Sequence, residues 1–381
     1  MKLELIGRID SNNASAVEKE LLDRLTGGDE TSVTLDAEKL EYISSAGLRV
    51  ILRLKKKVQD LCITNVSSEI YEILEMTGFT EMMTVEKAYR VVSVEGCEVI
   101  GEGANGKVYR IDQDNVVKTY KNADALSEIQ HEREVARLAL ILGVPTAISY
   151  DVVKVGDSYG SVFELLDSRS FAKILAAEPE RMDWCVEEYV QMLKKIHATE
   201  VPAGKLPSIK TKALGWVGRM KDVLPAPYGD KIQRMIDDIP ACDTMIHGDY
   251  HTKNIVLAGG EVLLIDMDTL SVGHPIFELA QMYNSYIGFS EYDIDVVKRF
   301  QGFDSRTARE FWHRSLKAYF ETEDEEKIRA LENKIRCVAY VRLIDWSRRH
   351  QNPGSAEDQA TRALWTRELL ALLDQVDSLD F

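Results

Sequence analysis

Apolar residues follow two different rhythms along the first 88 residues. Short apolar runs that predict strands alternate with stretches in which apolar residues recur every three or four positions, a spacing that predicts helices. The predicted strands are Lys2–Ile6, Val33–Leu35 and Leu61–Val66, and the predicted helices are Asn13–Leu25, a helix opening at Gly47, and Ser68–Met76. This order predicts an α/β domain over residues 1–88, with helices packed on a sheet.

The pattern changes from residue 89 onwards. Strand-like runs over 108–111, 115–120 and 161–166 surround a predicted helix from about Asp124 to Leu142, and residues 286–381 read as helical. We therefore predict a strand-containing lobe over residues 89–166 and a helical lobe over residues 167–381.

Charge and cysteine usage narrow the class of protein. The chain has 381 residues and a net charge of −16, so we expect neither a nucleic-acid partner nor an anionic membrane partner. Its five cysteines are scattered, and the Met-Lys-Leu-Glu-Leu start lacks the pattern of a signal peptide. These features lead us to expect a cytoplasmic protein with reduced thiols.

A glycine-rich segment opens the second part of the chain. Gly101, Gly103 and Gly106 fit Gly-x-Gly-x-x-Gly, and Val108 follows two residues later. In a dinucleotide-binding fold this loop would lead into a helix, but the residues after Gly106 read as a strand. A glycine loop between two strands is typical of kinases, in which it covers the nucleotide phosphates.

Lys118 follows two valines on the next predicted strand. It is a candidate ligand of the α- and β-phosphates, and the alternative is a surface lysine at a strand edge. A lysine in this role needs a glutamate from the following helix to hold it in position. We expect Glu134 to be that partner, because apolar residues place it beside the inward face, with Glu128 and Glu132 as competitors.

The strand-like run over 161–166 lies where a kinase connects its two lobes. We expect backbone groups of Glu164 and Leu166 to meet the edge of the nucleotide base, with Phe163 at the back of the pocket. An ordinary buried strand is the alternative, and the two readings are compatible because the base contacts use only the backbone.

The most informative stretch is IHGDYHTKNIVLAGGEVLLID, residues 246–266. It places His247, Asp249 and Asn254 in the pattern His-x-Asp-x-x-x-x-Asn, and Asp266 ends the apolar run that follows. Phosphoryl transfer from ATP or GTP needs a carboxylate that accepts or orients the attacking hydroxyl, and oxygen ligands for Mg²⁺. The stretch supplies both kinds of group.

These motifs together, from about Cys97 to nearly the end of the chain, resemble the aminoglycoside phosphotransferase and choline kinase-like family, a branch of the protein-kinase-like fold. The resemblance implies an α+β bilobal domain in which Asp249 is the catalytic base. It also implies that Asn254 and Asp266 bind Mg²⁺ and that Lys118 contacts the nucleotide phosphates.

The same resemblance gives His247 a role in orienting the catalytic loop and Asp268 a supporting role at the metal. Only about nine residues separate Asp266 from Pro275, which leaves no room for a long activation segment. His251 stands where serine/threonine kinases usually have lysine. We therefore expect a small-molecule hydroxyl as the acceptor rather than a protein.

The first 88 residues resemble the STAS domain, the fold of bacterial anti-sigma factor antagonists. Those proteins carry Asp-Ser-Ser-Gly or a close variant at the start of the second helix, where a partner kinase phosphorylates a serine. The aligned residues here are Ser44, Ser45, Ala46 and Gly47, so the aspartate and one hydroxyl are replaced. Ser44 and Ser45 are candidate acceptors, and the alternative is that they cap the helix.

Two functions from different classes fit these observations. The first is a nucleotide- and Mg²⁺-dependent phosphotransferase with an unidentified small-molecule acceptor and a regulatory STAS domain. The second is a signalling adaptor whose STAS domain binds a partner protein while the kinase-like part senses nucleotide or phosphorylates a protein serine, including Ser44 or Ser45. The acidic run over 321–326 suits a cationic acceptor, but a solvated helix end is the more usual role of such a run.

Overall fold

The computed structural model describes residues 1–25, 32–103, 106–122, 125–220, 223–350 and 355–381. The described residues form two compact units. The first comprises residues 1–96 and 152–160, and the second comprises residues 97–151 and 161–381. Of the helices in these ranges, none is long and apolar enough to cross a membrane.

A four-stranded parallel sheet with the order β1-β2-β3-β4 forms the centre of the first unit. The elements are β1 (Lys2–Ile9), α1 (Ala14–Leu25), β2 (Ser32–Ile43), α2 (Ser45–Lys55), β3 (Asp60–Val66), α3 (Ser68–Met76), α4 (Phe79–Met82), β4 (Thr84–Lys87) and β5 (Arg90–Val91). Along β1, Leu3 and Leu5 are buried while Lys2 and Glu4 are exposed, the alternation of a strand with one covered face. The predicted α/β architecture is confirmed.

Strand β2 is longer than the predicted Val33–Leu35 because a charged residue is accommodated in its interior. Asp36 is buried, yet its carboxylate accepts a hydrogen bond from Asn65 Nδ2 at 2.9 Å and lies 2.7 Å from Lys2 Nζ. The Lys2 ammonium and the Asn65 amide lower the pKa of Asp36 to about 2. The paired carboxylate therefore lets the strand continue to Ile43.

The second unit joins antiparallel strands to a larger helical region. The elements of its first part are β6 (Glu98–Glu102), β7 (Gly106–Arg110), β8 (Asn115–Tyr120) and α5 (Leu126–Ile141). They are followed in the chain by β9 (Asp151–Val155) and β10 (Ser158–Glu164). Strands β6, β7 and β8 pair in sequence order, and β10 follows β8 in the sheet. The predicted start of α5 at Asp124 lies outside the described residues.

Residues 152–160 belong to the first unit, in which β5 pairs in parallel with β9 through Arg90 opposite Val153 and Val91 opposite Lys154. The rings of Tyr89 and Tyr159 lie 5.0 Å apart in the same unit. The segment after β4 therefore ends in a short strand rather than in an irregular linker.

The rest of the second unit is mainly helical. Its elements are β11 (Ser168–Ser170), α6 (Phe171–Ala177), α7 (Met182–His197), α8 (Ile209–Gly218), α9 (Ala226–Asp237), β12 (Met245–Ile246), β13 (Ile255–Ala258), β14 (Glu261–Leu264), β15 (Ser271–Val272), α10 (Ile276–Tyr286), α11 (Val296–Gln301), α12 (Ser305–Phe320), α13 (Glu325–His350) and α14 (Ala356–Leu373). Nearly every residue of α10 is buried, and α10 packs against α13 and α12. A helix buried on all sides lies at the centre of a core, so α10 supports what surrounds it.

Candidate active site

The second unit contains a cavity of about 560 Å³, a size typical of ligand pockets. Most of the predicted site residues line it: Gly101, Gly103, Gly106, Val108, Lys118, Glu164, Leu166, Asp249, Asn254 and Asp266. The strands and the helical region both contribute to its walls. His247 and Glu134 are not among the lining residues.

Lys118 lies on β8, and its ammonium group is held between two carboxylates. Nζ lies 2.8 and 3.1 Å from the carboxylate oxygens of Glu132 and 2.7 Å from Oδ1 of Asp266. Tyr120 Oη donates a further hydrogen bond to Glu132 at 2.7 Å. Burial by itself lowers the pKa of Lys118, but the charges of Glu132 and Asp266 outweigh it and the pKa is raised. The lysine is a fixed cation in the cavity wall.

The prediction that Glu134 pairs with Lys118 is wrong, because Glu132 takes that place. The inward face of α5 carries Ile129, Glu132 and Ala136, whereas Glu134 is exposed. Positions three and four apart share a helix face, and a residue two positions further on points to the opposite side. The apolar neighbours of Glu134 in the sequence were therefore a misleading guide to its direction.

The glycine-rich segment connects β6 and β7 at the rim of the cavity. A Cβ on Gly106 would lie 1.7 Å from the carbonyl oxygen of Thr119 on the neighbouring strand, so only glycine fits. A Cβ on Gly103 would meet nothing within 4 Å, so packing within the protein does not require this glycine. The space beside Gly103 is open to a ligand that approaches the backbone.

The connection after β10 presents backbone to the cavity, as predicted for Glu164 and Leu166. The N–H of Leu165 donates to the carbonyl of Asp114 at 2.6 Å, which fixes this segment. The N–H of Leu166 has no hydrogen-bond partner among the described residues. Leu166 and Phe163 both line the cavity, so a donor and an apolar wall are available to a flat base.

The catalytic loop between β12 and β13 is held by a buried carboxylate. Glu278 on α10 accepts hydrogen bonds from the N–H groups of His247 at 2.5 Å and Gly248 at 3.0 Å. Burial raises the pKa of Glu278 to about 7, although these donors oppose the shift. Gly248 has a φ of +85°, and a Cβ there would lie 2.7 Å from the carbonyl oxygen of Thr269. Both features hold the loop in one conformation.

Three buried tyrosines form further hydrogen bonds at the loop. Tyr250 Oη donates to the carbonyl of Tyr189 at 2.6 Å, and Tyr189 Oη donates to the carbonyl of Tyr250 at 3.2 Å. The N–H of Thr252 donates to Tyr286 Oη at 3.0 Å. Side chains from α7 and α10 therefore bind the backbone of a loop that has no regular structure.

The carboxylate of Asp249 lies among polar side chains at the cavity. Gln281 Nε2 donates to Oδ1 at 3.0 Å, Asn254 Nδ2 lies 3.4 Å from Oδ2, and His251 Nε2 lies 3.3 Å from Oδ2. Burial by itself raises the pKa of Asp249, but the neighbouring His251 outweighs it and the pKa is lowered. The lowered pKa favours the ionised form of Asp249, which is suited to accepting a hydrogen bond from a hydroxyl and orienting it.

His247 lies behind this carboxylate and is fully buried. Its Nδ1 accepts a hydrogen bond from the N–H of Asp249 at 3.3 Å, and its carbonyl accepts one from Thr269 Oγ1 at 2.7 Å. Burial lowers the pKa of His247, which favours the neutral ring that this acceptor role requires. These contacts fit the predicted role in orienting the loop.

The oxygen atoms near Asp249 fit a magnesium ion. Asp266 uses Oδ1 for Lys118, and its Oδ2 accepts no hydrogen bond from any described residue. Asn254 uses its amide nitrogen for Asp249, which leaves its amide oxygen available. Mg²⁺ is usually held by one or two protein oxygens together with phosphate oxygens and water. In the described ranges, no group of three or more His, Cys, Asp or Glu side chains is arranged to hold a metal ion.

The backbone conformation at Asp266 is unusual. Asp266 has a φ of +65°, which is rare for residues other than glycine and is found most often at functional sites. Two residues on, burial and then the charge of Asp266 raise the pKa of Asp268 to about 7. The negative charge of Asp266 therefore also acts on the carboxyl group of Asp268.

Sequence reasoning missed Gln281 and Arg342, which contact the catalytic loop. Gln281 lies three residues after Glu278, so both project from one face of α10, and this spacing was the available signal. Arg342 Nη2 donates to the carbonyl of Gly248 at 3.2 Å from α13, 94 residues further along the chain. No local pattern points to that contact.

The start of α2 in the first unit holds the two candidate serines. Ser44 Oγ accepts a hydrogen bond from the N–H of Ala46 at 3.1 Å, so Ser44 is the N-cap of the helix. Ser45 is the first helical residue and is exposed. A Cβ on Gly47 would lie 2.7 Å from a side-chain carbon of Ile43, so close packing of the helix requires this glycine.

Comparisons with known proteins match two separate parts of the chain to two families. A sequence model of the phosphotransferase enzyme family (APH) matches residues 96–319, and a model of the STAS domain matches residues 1–92. The "Putative anti-sigma factor antagonist BtrV" of Bordetella bronchiseptica is 36% identical over 85 residues, which cover 21% of this chain and 72% of that protein.

Solved structures that resemble the chain include aminoglycoside phosphotransferases. A thermostable mutant of APH(4)-Ia in a ternary complex with ADP and hygromycin B has a TM-score of 0.50 and 12% identity, covering 74% of this chain and 94% of that chain. The GDP complex of an aminoglycoside 2'-phosphotransferase-IIIa mutant has a TM-score of 0.47 and 14% identity, covering 80% and 95%. The first of these supports the fold, and the family matches carry the assignment. The chain therefore belongs to the phosphotransferase enzyme family (APH) and carries a STAS domain in its first 92 residues.

Proposed function

We propose that this protein transfers a phosphoryl group from ATP or GTP to the hydroxyl of a small molecule in a Mg²⁺-dependent reaction. The observation that carries the proposal is the position of the Lys118 ammonium between Glu132 and Asp266, in the same cavity as Asp249 and Asn254. Phosphoryl transfer depends mainly on positioning and on neutralising phosphate charge, and this set of residues supplies both. We propose a regulatory or partner-binding role for the STAS domain.

Each residue in the cavity has a distinct role in this proposal. Lys118 binds the α- and β-phosphates, and the open backbone at Gly103 lies over them. Asn254 and Asp266 would hold Mg²⁺, which would supply positive charge to offset the charge of the phosphates. Asp249 accepts a hydrogen bond from the acceptor hydroxyl and directs its oxygen toward the phosphate.

The chain between Asp266 and α10 favours a small acceptor over a protein. Strand β15 in this segment pairs with β12, through Val272 opposite Met245 and Ser271 opposite Ile246. The side chain of Thr269 is bound to the catalytic loop. The segment is therefore short and tied down at both points, and it offers no long surface on which a protein substrate could dock.

The variant Asp249→Asn tests this proposal. We expect it to bind Mg·ATP or Mg·GTP with nearly unchanged affinity and to lose turnover by about 10²- to 10⁴-fold, the usual contribution of such a group. Nucleotide affinity is measured by calorimetry, and nucleotide consumption is measured with a panel of alcohols. Absence of Mg²⁺-dependent consumption by the wild-type protein with every acceptor would count against the proposal.

A signalling adaptor is the second candidate, and the exposed Ser45 at the start of α2 favours it. In this alternative the STAS domain binds a partner protein, and phosphorylation of Ser45 controls that binding. Incubation of the full chain with Mg·ATP, followed by mass spectrometry, tests whether the chain modifies itself. Phosphate on Ser45 in the wild type but not in Asp249→Asn would support self-phosphorylation, and an unmodified serine in both would argue against it.

A further inference from the structure

Helix α10 contacts the catalytic loop at two points that lie about one helical turn apart. Glu278 accepts hydrogen bonds from the backbone N–H groups of His247 and Gly248. Gln281, three residues further on, reaches the side chain of Asp249, and its Nε2 lies 3.0 Å from Oδ1. Because residues three apart share a helix face, one helix holds both the backbone of the loop and the carboxylate of its aspartate.

The contact with Gln281 is the shortest hydrogen bond to the Asp249 carboxylate among the described residues. His251 Nε2 and Asn254 Nδ2 lie 3.3 and 3.4 Å from the other oxygen, Oδ2, beyond the usual range of about 2.7–3.2 Å. Since an ionised carboxylate only accepts hydrogen bonds, the Gln281 atom that faces Oδ1 is its amide nitrogen. Gln281 therefore constrains this carboxylate more tightly than the other two donors do.

The three donors divide unequally between the two carboxylate oxygens. His251 and Asn254 both face Oδ2, whereas Gln281 alone of the described residues donates to Oδ1. Each carboxylate oxygen can accept about two hydrogen bonds, so Oδ1 keeps one position for a further donor. The side chain of Asp249 is 35% exposed and lines the cavity. A hydroxyl group of a ligand can therefore reach Oδ1.

Gln281 is well suited to hold a reacting group in place. Its neighbours Ala280 and Met282 are buried, and Ser285 Oγ donates to its carbonyl oxygen at 3.1 Å. Close packing around α10 resists any shift of the helix. Because glutamine is neutral, it orients the carboxylate without cancelling the negative charge, as an arginine or lysine at the same position would. The arrangement fixes the direction of Asp249 and preserves its ability to accept a hydrogen bond.

We propose that Gln281 is a positioning residue of the phosphotransfer reaction, which fixes the Asp249 carboxylate so that Oδ1 accepts the hydrogen bond of the acceptor hydroxyl. This inference rests on the proposed phosphotransferase function. In the reaction the hydroxyl oxygen forms a bond to the γ-phosphorus, and the bond from that phosphorus to the bridging oxygen of the nucleotide breaks. The nucleoside diphosphate leaves, and the hydroxyl proton passes through Oδ1 to water.

Two substitutions of Gln281 distinguish a hydrogen-bond donor from a side chain that only fills space. Gln281→Met removes the donor and keeps a similar length, whereas Gln281→Glu keeps the shape and places an anion beside Oδ1. If the donor matters, turnover falls by about 10- to 100-fold in Gln281→Met, the cost of a small displacement of a reacting group. It falls further in Gln281→Glu, because two neighbouring carboxylates repel each other. If only packing matters, glutamate is tolerated better than methionine.

Turnover is measured as Mg²⁺-dependent nucleotide consumption with the panel of alcohols, and nucleotide affinity is measured by calorimetry. We expect kcat to fall while nucleotide affinity stays within about twofold, because Gln281 is not among the residues that line the cavity. Gln191, an exposed glutamine on α7, provides the matched control. Gln191→Met and Gln191→Glu are expected to keep turnover within about twofold. Thermal denaturation shows whether all four variants are folded.

Three outcomes would overturn the inference: equal turnover of Gln281→Met and Gln191→Met, higher turnover of Gln281→Glu than of Gln281→Met, or a loss of nucleotide affinity as large as the loss of turnover. The third outcome would mean that Gln281 supports the whole site rather than orienting Asp249. If the wild type consumes nucleotide and one of these results is found, only the role of Gln281 is wrong. If the wild type consumes no nucleotide with any alcohol, the proposed function fails, and this role fails with it.

Discussion

The start of α2 in the first unit and the catalytic loop in the second unit are both turns that follow a strand, but they are stabilised in opposite ways. At α2, Ser44 caps the N–H of Ala46, two residues away. In the catalytic loop, Glu278 and Arg342 bind the backbone of Gly248 from 30 and 94 residues away. A turn that satisfies itself locally can be predicted from a short motif, whereas the catalytic loop depends on the packing of distant helices.

The largest of these effects is expected at Glu132, which positions the ammonium group of Lys118 in the cavity. Glu132→Gln leaves Lys118 with Asp266 as its only carboxylate partner, and a small displacement at such a site costs about 100-fold in turnover. Glu134→Gln is the matched control and is expected to stay within about twofold, because this residue is exposed. Mg²⁺-dependent nucleotide consumption is measured for both variants. Equal losses of turnover in the two variants would contradict the assignment of Glu132 as the partner of Lys118.

The buried carboxylate under the catalytic loop gives a pH-dependent effect. Burial raises the pKa of Glu278 from its ordinary 4.5 to about 7, so the folded protein holds a proton that the unfolded chain releases. Its contribution to stability is present below pH 4.5 and is lost as the pH rises through about 7. The loss amounts to at most about 3 kcal/mol.

Urea unfolding of the wild-type protein and of Glu278→Gln between pH 4.5 and pH 7 measures this effect. The free energy of unfolding of the wild type should fall with rising pH relative to the variant, which cannot ionise at this position. Parallel curves for the two proteins would show that Glu278 does not titrate in this range, and the loop would then need another source of support.

A smaller effect is expected at the glycine loop, where the constraint is steric. Gly106→Ala places a methyl group against the carbonyl of Thr119, and the required shift of β7 costs about 1–3 kcal/mol. Gly103→Ala is the matched change on the open side of the loop and should leave stability nearly unchanged. Thermal denaturation compares the two proteins, and nucleotide titration shows whether the added methyl at Gly103 obstructs the ligand. Equal melting temperatures would contradict the close contact at Gly106.

The smallest effect tests whether the start of α2 depends only on its own motif. Ser44→Ala removes the N-cap and should destabilise the first unit by about 1 kcal/mol. Ser45→Ala changes an exposed first-turn residue and should have an effect within about 0.5 kcal/mol. Chemical denaturation followed by circular dichroism measures both. Reversed magnitudes would mean that Ser45, rather than Ser44, is the structural serine.

Local spacing in the sequence was sufficient for features that form within one turn or one loop. The α/β order of the first unit, the cap at Ser44, and the placement of Asp249 and Asn254 on one loop all follow from residues close together in the chain. Asp249 and Asn254 are five residues apart and hydrogen bond directly. Such contacts need no knowledge of how the helices pack.

Only the tertiary structure decided which distant residues meet. The choice between Glu132 and Glu134 depended on which face of α5 points inward, because two positions along a helix reverse the direction of a side chain. Gln281 and Arg342 gained their positions from the packing of α10 and α13 beside the catalytic loop. The sequence by itself determined which residue types stand at each motif, while the packing of these helices decided which of them meet at the catalytic loop, because those residues come from segments far apart in the chain.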